Sequence, residues 1–241
     1  AFLLSIPANG AEQLGKGKRH RPERSGASVF YDETQAKKYA TSSRMKKIQT
    51  DMTKRAIELL EMELGQDKLV LDVGCGSGLS GAVLNEYNVP WIGFDVSEPM
   101  LQQAQARGCS NGNLILSDMS NGVPFRGGAF DAVIGISCLQ WLCSATFGGK
   151  EFEVLLKFFR SLRGCMTSNG RAVFQFYPEN KEQSTMMTKA ALKAGFKGGV
   201  MVDNPDIKKR AKHFLCLSLG MKQSFMRQAD VQKWEELRSK R

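Results

Sequence analysis

The chain is poor in the residues from which most metal and hydrolytic centres are built. Only two histidines, His20 and His213, occur in 241 residues, and no His-centred acid–base constellation is visible. The six cysteines, Cys75, Cys109, Cys138, Cys143, Cys165 and Cys216, are scattered, and no two form a C-x-x-C pair. That spacing argues against a zinc site, and no metal is expected. Cysteines placed in apolar stretches suit free thiols in a reducing compartment. Long apolar runs are also missing, so no segment is expected to span a membrane. The opening residues 1–6 are too short for a signal-peptide core and lack a basic start. No internal repeat occurs. Acids are outnumbered, 24 against 34 Lys and Arg, for a net charge of +10. The excess points to a polyanionic partner, nucleic acid before membrane, since no amphipathic basic helix stands out. Hydrophobic content of 42% and the chain length are ordinary for one α/β domain.

What the chain does have is glycine in one informative place. Leu69 to Val73 read as a buried parallel strand, and Gly74, Gly76 and Gly78 then fall at every second position. A glycine loop between strand and helix lets a ligand lie against bare backbone, with helix-end N–H groups pointing at it. Dinucleotide sites use G-x-G-x-x-G to frame a pyrophosphate. Here the spacing is G-x-G-x-G, and Asp72 precedes it inside the strand. An acid at that place would repel a pyrophosphate. The combination resembles the S-adenosylmethionine loop of Rossmann-like methyltransferases, whose ligand carries an amino-acid end and a sulfonium. Asp95, at the tip of a second strand over residues 91–95, is placed to accept both ribose hydroxyls of an adenosine ligand.

The rest of the chain frames that stretch. Residues 1–28 carry Pro, Gly and a basic run and are expected to be disordered, with the ordered domain over 29–220 and a basic tail over 221–241. Asp32 is expected to cap a helix with Gln35 in the capping-box position. A longer helix follows, with Met45, Ile48, Met52, Ala56, Leu59 and Leu60 on one face and Arg44, Lys46, Lys47, Lys54 and Arg55 on the other. It reads as a helix packed on the sheet, or as a lid whose basic face meets substrate. Beyond residue 69 strands alternate with helices, which implies a parallel sheet with right-handed crossovers. Helices are expected over 79–86, 98–107 (capped by Ser97), 151–166 and 183–194, and strands over 113–117, 130–136 and 171–177. Residues 200–203 and 213–219 would form a final antiparallel pair, joined by a basic stretch from Lys208 to Lys212. Asp118 lies where such a fold places an acid for the adenine amine, and it reads equally well as a turn residue. Gln140 and Trp141 follow the carboxyl end of the fourth strand, where open α/β sheets bind ligands, and could hold a base.

Several segments together resemble one family. Phe30-Tyr31-Asp32-Glu33, Ser43-Arg44-Met45, the loop from Leu71 to Gly81, Gln140-Trp141-Leu142-Cys143, Tyr177-Pro178-Glu179-Asn180, Ala194 to Gly199 and Phe214 to Leu217 are similar to the eukaryotic small-subunit (18S) ribosomal RNA guanine-N7 methyltransferases. The glycine loop is shared by many methyltransferases, and the segments around residues 177 and 194 are far more specific. The resemblance implies a class I, Rossmann-like fold: a doubly wound, seven-stranded, mostly parallel sheet with an antiparallel last strand. It implies S-adenosyl-L-methionine as cofactor, held by Asp72, Gly74, Cys75, Gly76, Ser77, Gly78, Asp95, Val96, Asp118, Met119 and Ser137, with Gln140, Trp141 and Tyr177 as candidates to hold the base. It further implies ribosomal RNA in the pre-40S particle as substrate, a small zinc-binding activator protein as partner, and work in the nucleus (nucleolus and nucleoplasm), with the cytoplasm as a further site. The family usually ends in a long Lys/Arg/Pro-rich tail, whereas residues 221–241 here are short and only moderately basic.

The chemistry agrees with a guanine acceptor. N7 of guanine has a lone pair and no proton to lose, so transfer needs alignment and a suitable field and no general base. A cytosine-C5 enzyme would want a nucleophilic Cys after Pro, and Cys138 follows Ser137 instead. The Asn-Pro-Pro-Tyr motif of adenine-N6 enzymes is missing after the fourth strand. Two other readings stand beside this one: a small-molecule or carboxylate O-methyltransferase, and an RNA-binding assembly factor for which methylation is dispensable.

Overall fold

Apolar strands alternating with helices can be satisfied by stacking helices on both faces of a parallel sheet. The computed structural model, which describes residues 33–108, 112–207 and 211–220, has that build. In chain order the elements are α1 (Glu33–Thr41), α2 (Ser43–Leu59), β1 (Val70–Val73), α3 (Leu79–Glu86), β2 (Trp91–Asp95), α4 (Glu98–Ala106), β3 (Gly112–Leu116) and β4 (Phe130–Ile136). Then follow α5 (Glu151–Cys165), β5 (Met166–Phe176), α6 (Lys181–Lys193), β6 (Lys197–Asp203) and β7 (Lys212–Ser218). The seven strands form one sheet in the order β3-β2-β1-β4-β5-β7-β6. Strands β1 to β5 run parallel, and β7 lies antiparallel between β5 and β6. The order reverses between β1 and β4, which opens a crevice at their carboxyl ends.

Each face of the sheet buries its own core, because successive side chains of a strand point to opposite sides. Leu71, Val73, Val133, Phe174 and Phe176 pack with Leu155, Phe158, Phe159 and Leu162 of α5. The rings of Phe158, Phe159 and Phe174 meet edge to face, with centroids 5.1 to 6.1 Å apart. On the other face Val70, Ile134, Val173 and Phe214 pack with Met52, Ala56 and Leu60 and with Val83 and Leu84 of α3. Fully burying side chains of this size contributes roughly 1.5–3 kcal/mol each. Ser42 caps α2 and Ser97 caps α4, each accepting the N–H three residues on, from Met45 and Met100.

Three boundaries differ from the sequence expectation by two or more residues. Strand β5 begins at Met166, directly after α5, and not at 171, with its register to β4 shifted between Phe130 and Ala132. Thr167-Ser168-Asn169-Gly170 reads as turn chemistry, but the irregularity absorbs it inside the strand. Strand β6 begins at Lys197, and Gly198 and Gly199 belong to it. Gly198 has φ +133°, and a Cβ there would lie 2.0 Å from the Cys216 carbonyl oxygen, so the close approach of β7 admits only glycine. Helix α6 starts at Lys181 because Asn180 caps it, its Oδ1 accepting the Gln183 N–H at 2.7 Å. The expected disordered start over 1–28, the Asp32 cap, Cys109, most of the basic link from Lys208 and the tail over 221–241 lie outside the described residues. Among the described residues no helix is long and apolar enough to cross a membrane.

Candidate active site

The site is built where β1 runs out. Gly74 and Gly76 take positive φ, +64° and +52°, and turn the chain off the strand. A Cβ on Gly74 would meet the Cys138 Cβ at 2.5 Å, so the loop rests against the segment that follows β4. The N–H groups of Gly74 and Cys75 both donate to the Phe94 carbonyl, at 2.9 and 3.1 Å. Arg107, at the end of α4, donates through Nε to the Ser77 carbonyl at 3.0 Å. The loop is therefore held from β2, β4 and α4 at once, before any ligand arrives.

Two carboxylates hold the loop from within. Asp95 accepts the Gly76 N–H on Oδ2 at 3.0 Å and the Ser97 N–H on Oδ1 at 2.9 Å. Burial pushes its pKa upward, opposed by the backbone N–H groups of Ser97, Gly76 and Val96. Asp72 is fully buried on the α2–α3 face and accepts the Ser80 hydroxyl on Oδ2, and its Oδ1 has no hydrogen-bond partner among the described residues. Burial raises its pKa to about 7, with the Ser80 hydrogen bond pulling the other way and the nearby Asp95 charge adding to the rise. The thiols are poor nucleophiles here: burial pushes Cys138 far up and Cys143 to about 12.

The crevice between the loop, the tips of β2 and β3, and the segment after β4 is a cleft of about 1040 Å³, its open mouth included. Of the expected residues, Gly74, Cys75, Gly76, Ser77, Asp95, Val96, Asp118, Met119, Ser137 and Trp141 line it. Asp72 sits beneath it, behind the lining residue Ser80, and Gly78 serves as the N-cap of α3 in a left-handed conformation. Asp118 caps the short turn Met119–Asn121, accepting the Ser120 N–H at 2.8 Å, while also facing the cleft.

Two of the three expected base-holding residues are placed elsewhere. Gln140 is buried and turns its amide back, Nε2 donating to the Ser137 carbonyl at 2.8 Å, and it does not line the cleft. Tyr177 points toward α2 and β7: its hydroxyl lies 2.9 Å from Lys212 Nζ, which also sits 4.8 Å from the ring centroid. Only Trp141, 8% exposed, presents itself to the cleft. Residues that sequence reasoning passed over also line it, among them Gln49 from α2, Met100 from α4, and Thr146 and Phe147 from the turn Ala145–Phe147. Gln49 had a signal, a polar residue on the apolar face of α2 between Met45 and Met52.

Asp95 and Asp118 line the cleft, and among the described residues no Lys, Arg or His does. Such a lining disfavours a pyrophosphate and suits a cationic ligand. Bare loop backbone and a carboxylate at the β2 tip fit an adenosine with a sulfonium. Among the described residues no cluster of His, Cys, Asp and Glu could hold a metal ion. The basic face expected on α2 is partly neutralised: Lys54 pairs with Glu86, and Arg55 pairs with Glu58 and Asp203.

Comparison with known proteins agrees with this geometry. Residues 70–157 match the model of a methyltransferase domain family. The chain is 49% identical over 205 residues to the 18S rRNA (guanine-N(7))-methyltransferase of Mus musculus, a match covering 83% of this chain and 72% of the mouse protein. A solved S-adenosylmethionine-dependent methyltransferase from Aquifex aeolicus superposes with a TM-score of 0.57 at 18% identity, over 78% of this chain and 99% of that one. A Haloferax volcanii methyltransferase solved in complex with the Trm112 methyltransferase activator superposes with a TM-score of 0.54 at 16% identity, over 77% of this chain and 97% of that one.

Proposed function

Since the chain belongs to the family of 18S rRNA (guanine-N7)-methyltransferases, we propose that its acidic cleft binds S-adenosylmethionine and presents the methyl group to N7 of a guanine in small-subunit ribosomal RNA. The observation that carries the reading is the reach of the relatedness, 205 residues, well beyond the methyltransferase-domain match over residues 70–157.

When bound, S-adenosylmethionine supplies an electrophilic methyl on a sulfonium. The chain's own residues then bind, orient and exclude water. Asp95 offers its carboxylate to ribose hydroxyls while the N–H groups of Gly76 and Ser97 hold it still. Asp118 offers an acceptor for the adenine amine. Asp72 places negative charge beneath the loop when ionised, which favours a cationic ligand above it. Trp141 gives the guanine an apolar ring to stack on, in place of the Gln140–Tyr177 pair expected beside it. No residue need take a proton, because N7 has none to give. That agrees with the high thiol pKa values and with a lining that, among the described residues, lacks histidine.

The test is transfer of labelled methyl from S-adenosylmethionine onto small-subunit ribosomal RNA. N7 methylation fixes a positive charge on guanine and makes its imidazole ring reducible, so borohydride and aniline should then cut the RNA at one guanine. Label in RNA without a cleavable site would show that the acceptor atom is wrong. The work of such an enzyme on assembling small subunits supports a nuclear location, nucleolus and nucleoplasm, with the cytoplasm as a further site, which imaging of a tagged chain checks.

The partner reading extends to an activator protein. Support comes from the Haloferax volcanii structure, a complex of that kind, and from the edge strand β3. The Ser117 N–H donates to the Asp95 carbonyl, so by the alternation of a parallel ladder the N–H and C=O groups of Leu114 and Leu116 face away from β2. Leu116 is 57% exposed beside those outward groups. A strand from the activator would pair there and cover the leucine. A zinc-binding activator of the kind the family resemblance implies would be the natural occupant.

A further inference from the structure

Gln175 is a buried polar residue in the middle of an apolar strand. Its neighbours Val173, Phe174 and Phe176 are fully buried, and so is Gln175 itself. Burying an amide is costly unless both of its ends are satisfied. Here Oε1 accepts the Ser137 hydroxyl at 2.7 Å, and Nε2 donates to the Phe176 carbonyl at 3.1 Å.

Ser137 is the unusual partner. It is the first residue beyond β4, it lines the cleft, and its φ is +58°. For a residue with a Cβ that conformation costs roughly 1–2 kcal/mol. Three contacts hold it there. Its N–H donates to the Gln175 carbonyl at 2.9 Å, its hydroxyl to the Gln175 side chain, and its carbonyl accepts from Gln140 Nε2 at 2.8 Å. The next residue, Cys138, is the one that Gly74 rests against. The turn that Ser137 makes thus sets both the floor of the glycine loop and the entry to the Trp141 turn. Strain over-determined by its surroundings, at the lip of a cleft, is the pattern of a preorganised site.

We infer that Gln175 is a positioning residue for methyl transfer: through the Ser137 hydroxyl it locks a left-handed turn that aligns the acceptor base with the methyl group, without touching either reactant. Gln140 is the second arm of the same clamp, which accounts for an amide turned away from the cleft. The inference rests on the methyltransferase reading of the cleft.

The experiment uses the full chain with its activator, assayed on small-subunit ribosomal RNA. In Gln175→Leu, Ser137→Ala and the double variant, kcat, KM for both substrates and the calorimetric Kd for S-adenosylmethionine are measured. Each single variant should lower kcat about 10- to 100-fold, and Gln175→Leu, at a residue that does not line the cleft, should leave the cofactor Kd within about threefold. The double variant should be no slower than the worse single one, because both remove one contact. Losses in kcat that multiply, or an unchanged kcat in folded Gln175→Leu, would overturn the inference. Should Gln175→Leu not fold, Gln175→Met takes its place in the same cycle. A structure of the variant gives a readout without RNA: Ser137 should relax from its positive φ, and one still at +58° would sink the clamp. A wild-type chain that transfers no methyl to RNA would count against the functional reading, whereas active wild type with indifferent variants counts against the clamp alone.

Discussion

At the scale of single residues, the site is governed by groups that the fold keeps from water. Asp72 is the clearest case. Its pKa in the folded chain is raised from 3.8 to about 7 by burial, so folding prefers the protonated acid. The stability this preference contributes is complete below about pH 4 and is lost as pH rises toward 7. Asp72→Asn mimics the protonated form at every pH. The melting temperature of the ligand-free variant should therefore gain on wild type between pH 5 and pH 8, by at least about 2 °C. Parallel melting curves would show the burial argument to be wrong. Gly74 supplies a second residue-scale test. Gly74→Ala must hold φ near +64° and find room 2.5 Å from the Cys138 Cβ. The strain alone is worth about 1–2 kcal/mol, or roughly 2–8 °C in melting temperature. Calorimetry should show cofactor binding weakened at least about tenfold, since the loop cannot keep its seat on Cys138.

At the scale of elements, the two ends of the sheet differ. Strand β6 is an edge whose partner β7 closes the antiparallel end, while β3 is an edge with outward backbone groups and an exposed leucine. The alternation of the ladder decides which substitution tests the partner. Ile115→Pro would remove an N–H aimed at β2 and damage the fold. Leu116→Pro removes one aimed outward. It should leave cofactor binding and melting temperature near wild type and weaken activator binding at least about tenfold, measured by calorimetry. Unchanged hydrogen exchange over residues 113–117 on adding the activator would place the interface elsewhere. Helix α2 works differently. It buries Met52, Thr53, Ala56 and Ile57 against the sheet and sends Gln49 to the cleft, so it is both wall and scaffold.

At the scale of the whole molecule, charge and chemistry are separated. The chain carries +10, yet among the described residues no basic side chain lines the cleft. RNA must therefore be gripped outside the transfer site, by groups such as Arg44, Lys46 and Lys47, which form no ion pair among the described residues. Affinity for RNA should fall steeply with salt, at about −0.7 in log–log slope per phosphate contacted by a single strand. Reversing the charge in Lys46→Glu with Lys47→Glu should make that slope shallower by about 1–2 and spare the cofactor Kd. A slope near zero in the wild-type chain would favour a small-molecule acceptor.

The sequence by itself determined the class of fold, the glycine loop and the acids around it. These depend on local pattern: an apolar run, alternate glycines and a carboxylate at a strand tip read the same in one dimension as in three. It determined less about the start of β5 and of β6, where turn-like residues are drawn into strands by neighbours distant in the chain. Only the tertiary structure decided which polar side chains face the cleft. Gln140 and Tyr177 stand in segments that looked like the acceptor site, but the Gln140 amide nitrogen turns to the Ser137 carbonyl, its Oε1 finding no partner among the described residues, and the Tyr177 hydroxyl meets Lys212. Gln49 and Gln175 drew no reading from the sequence, and packing brings one to the cleft wall and the other to the turn beneath it. Hydrogen bonds between residues 35 or 38 positions apart have no periodicity to announce them. They are settled by which strands lie side by side and by the need of each buried polar atom for a partner.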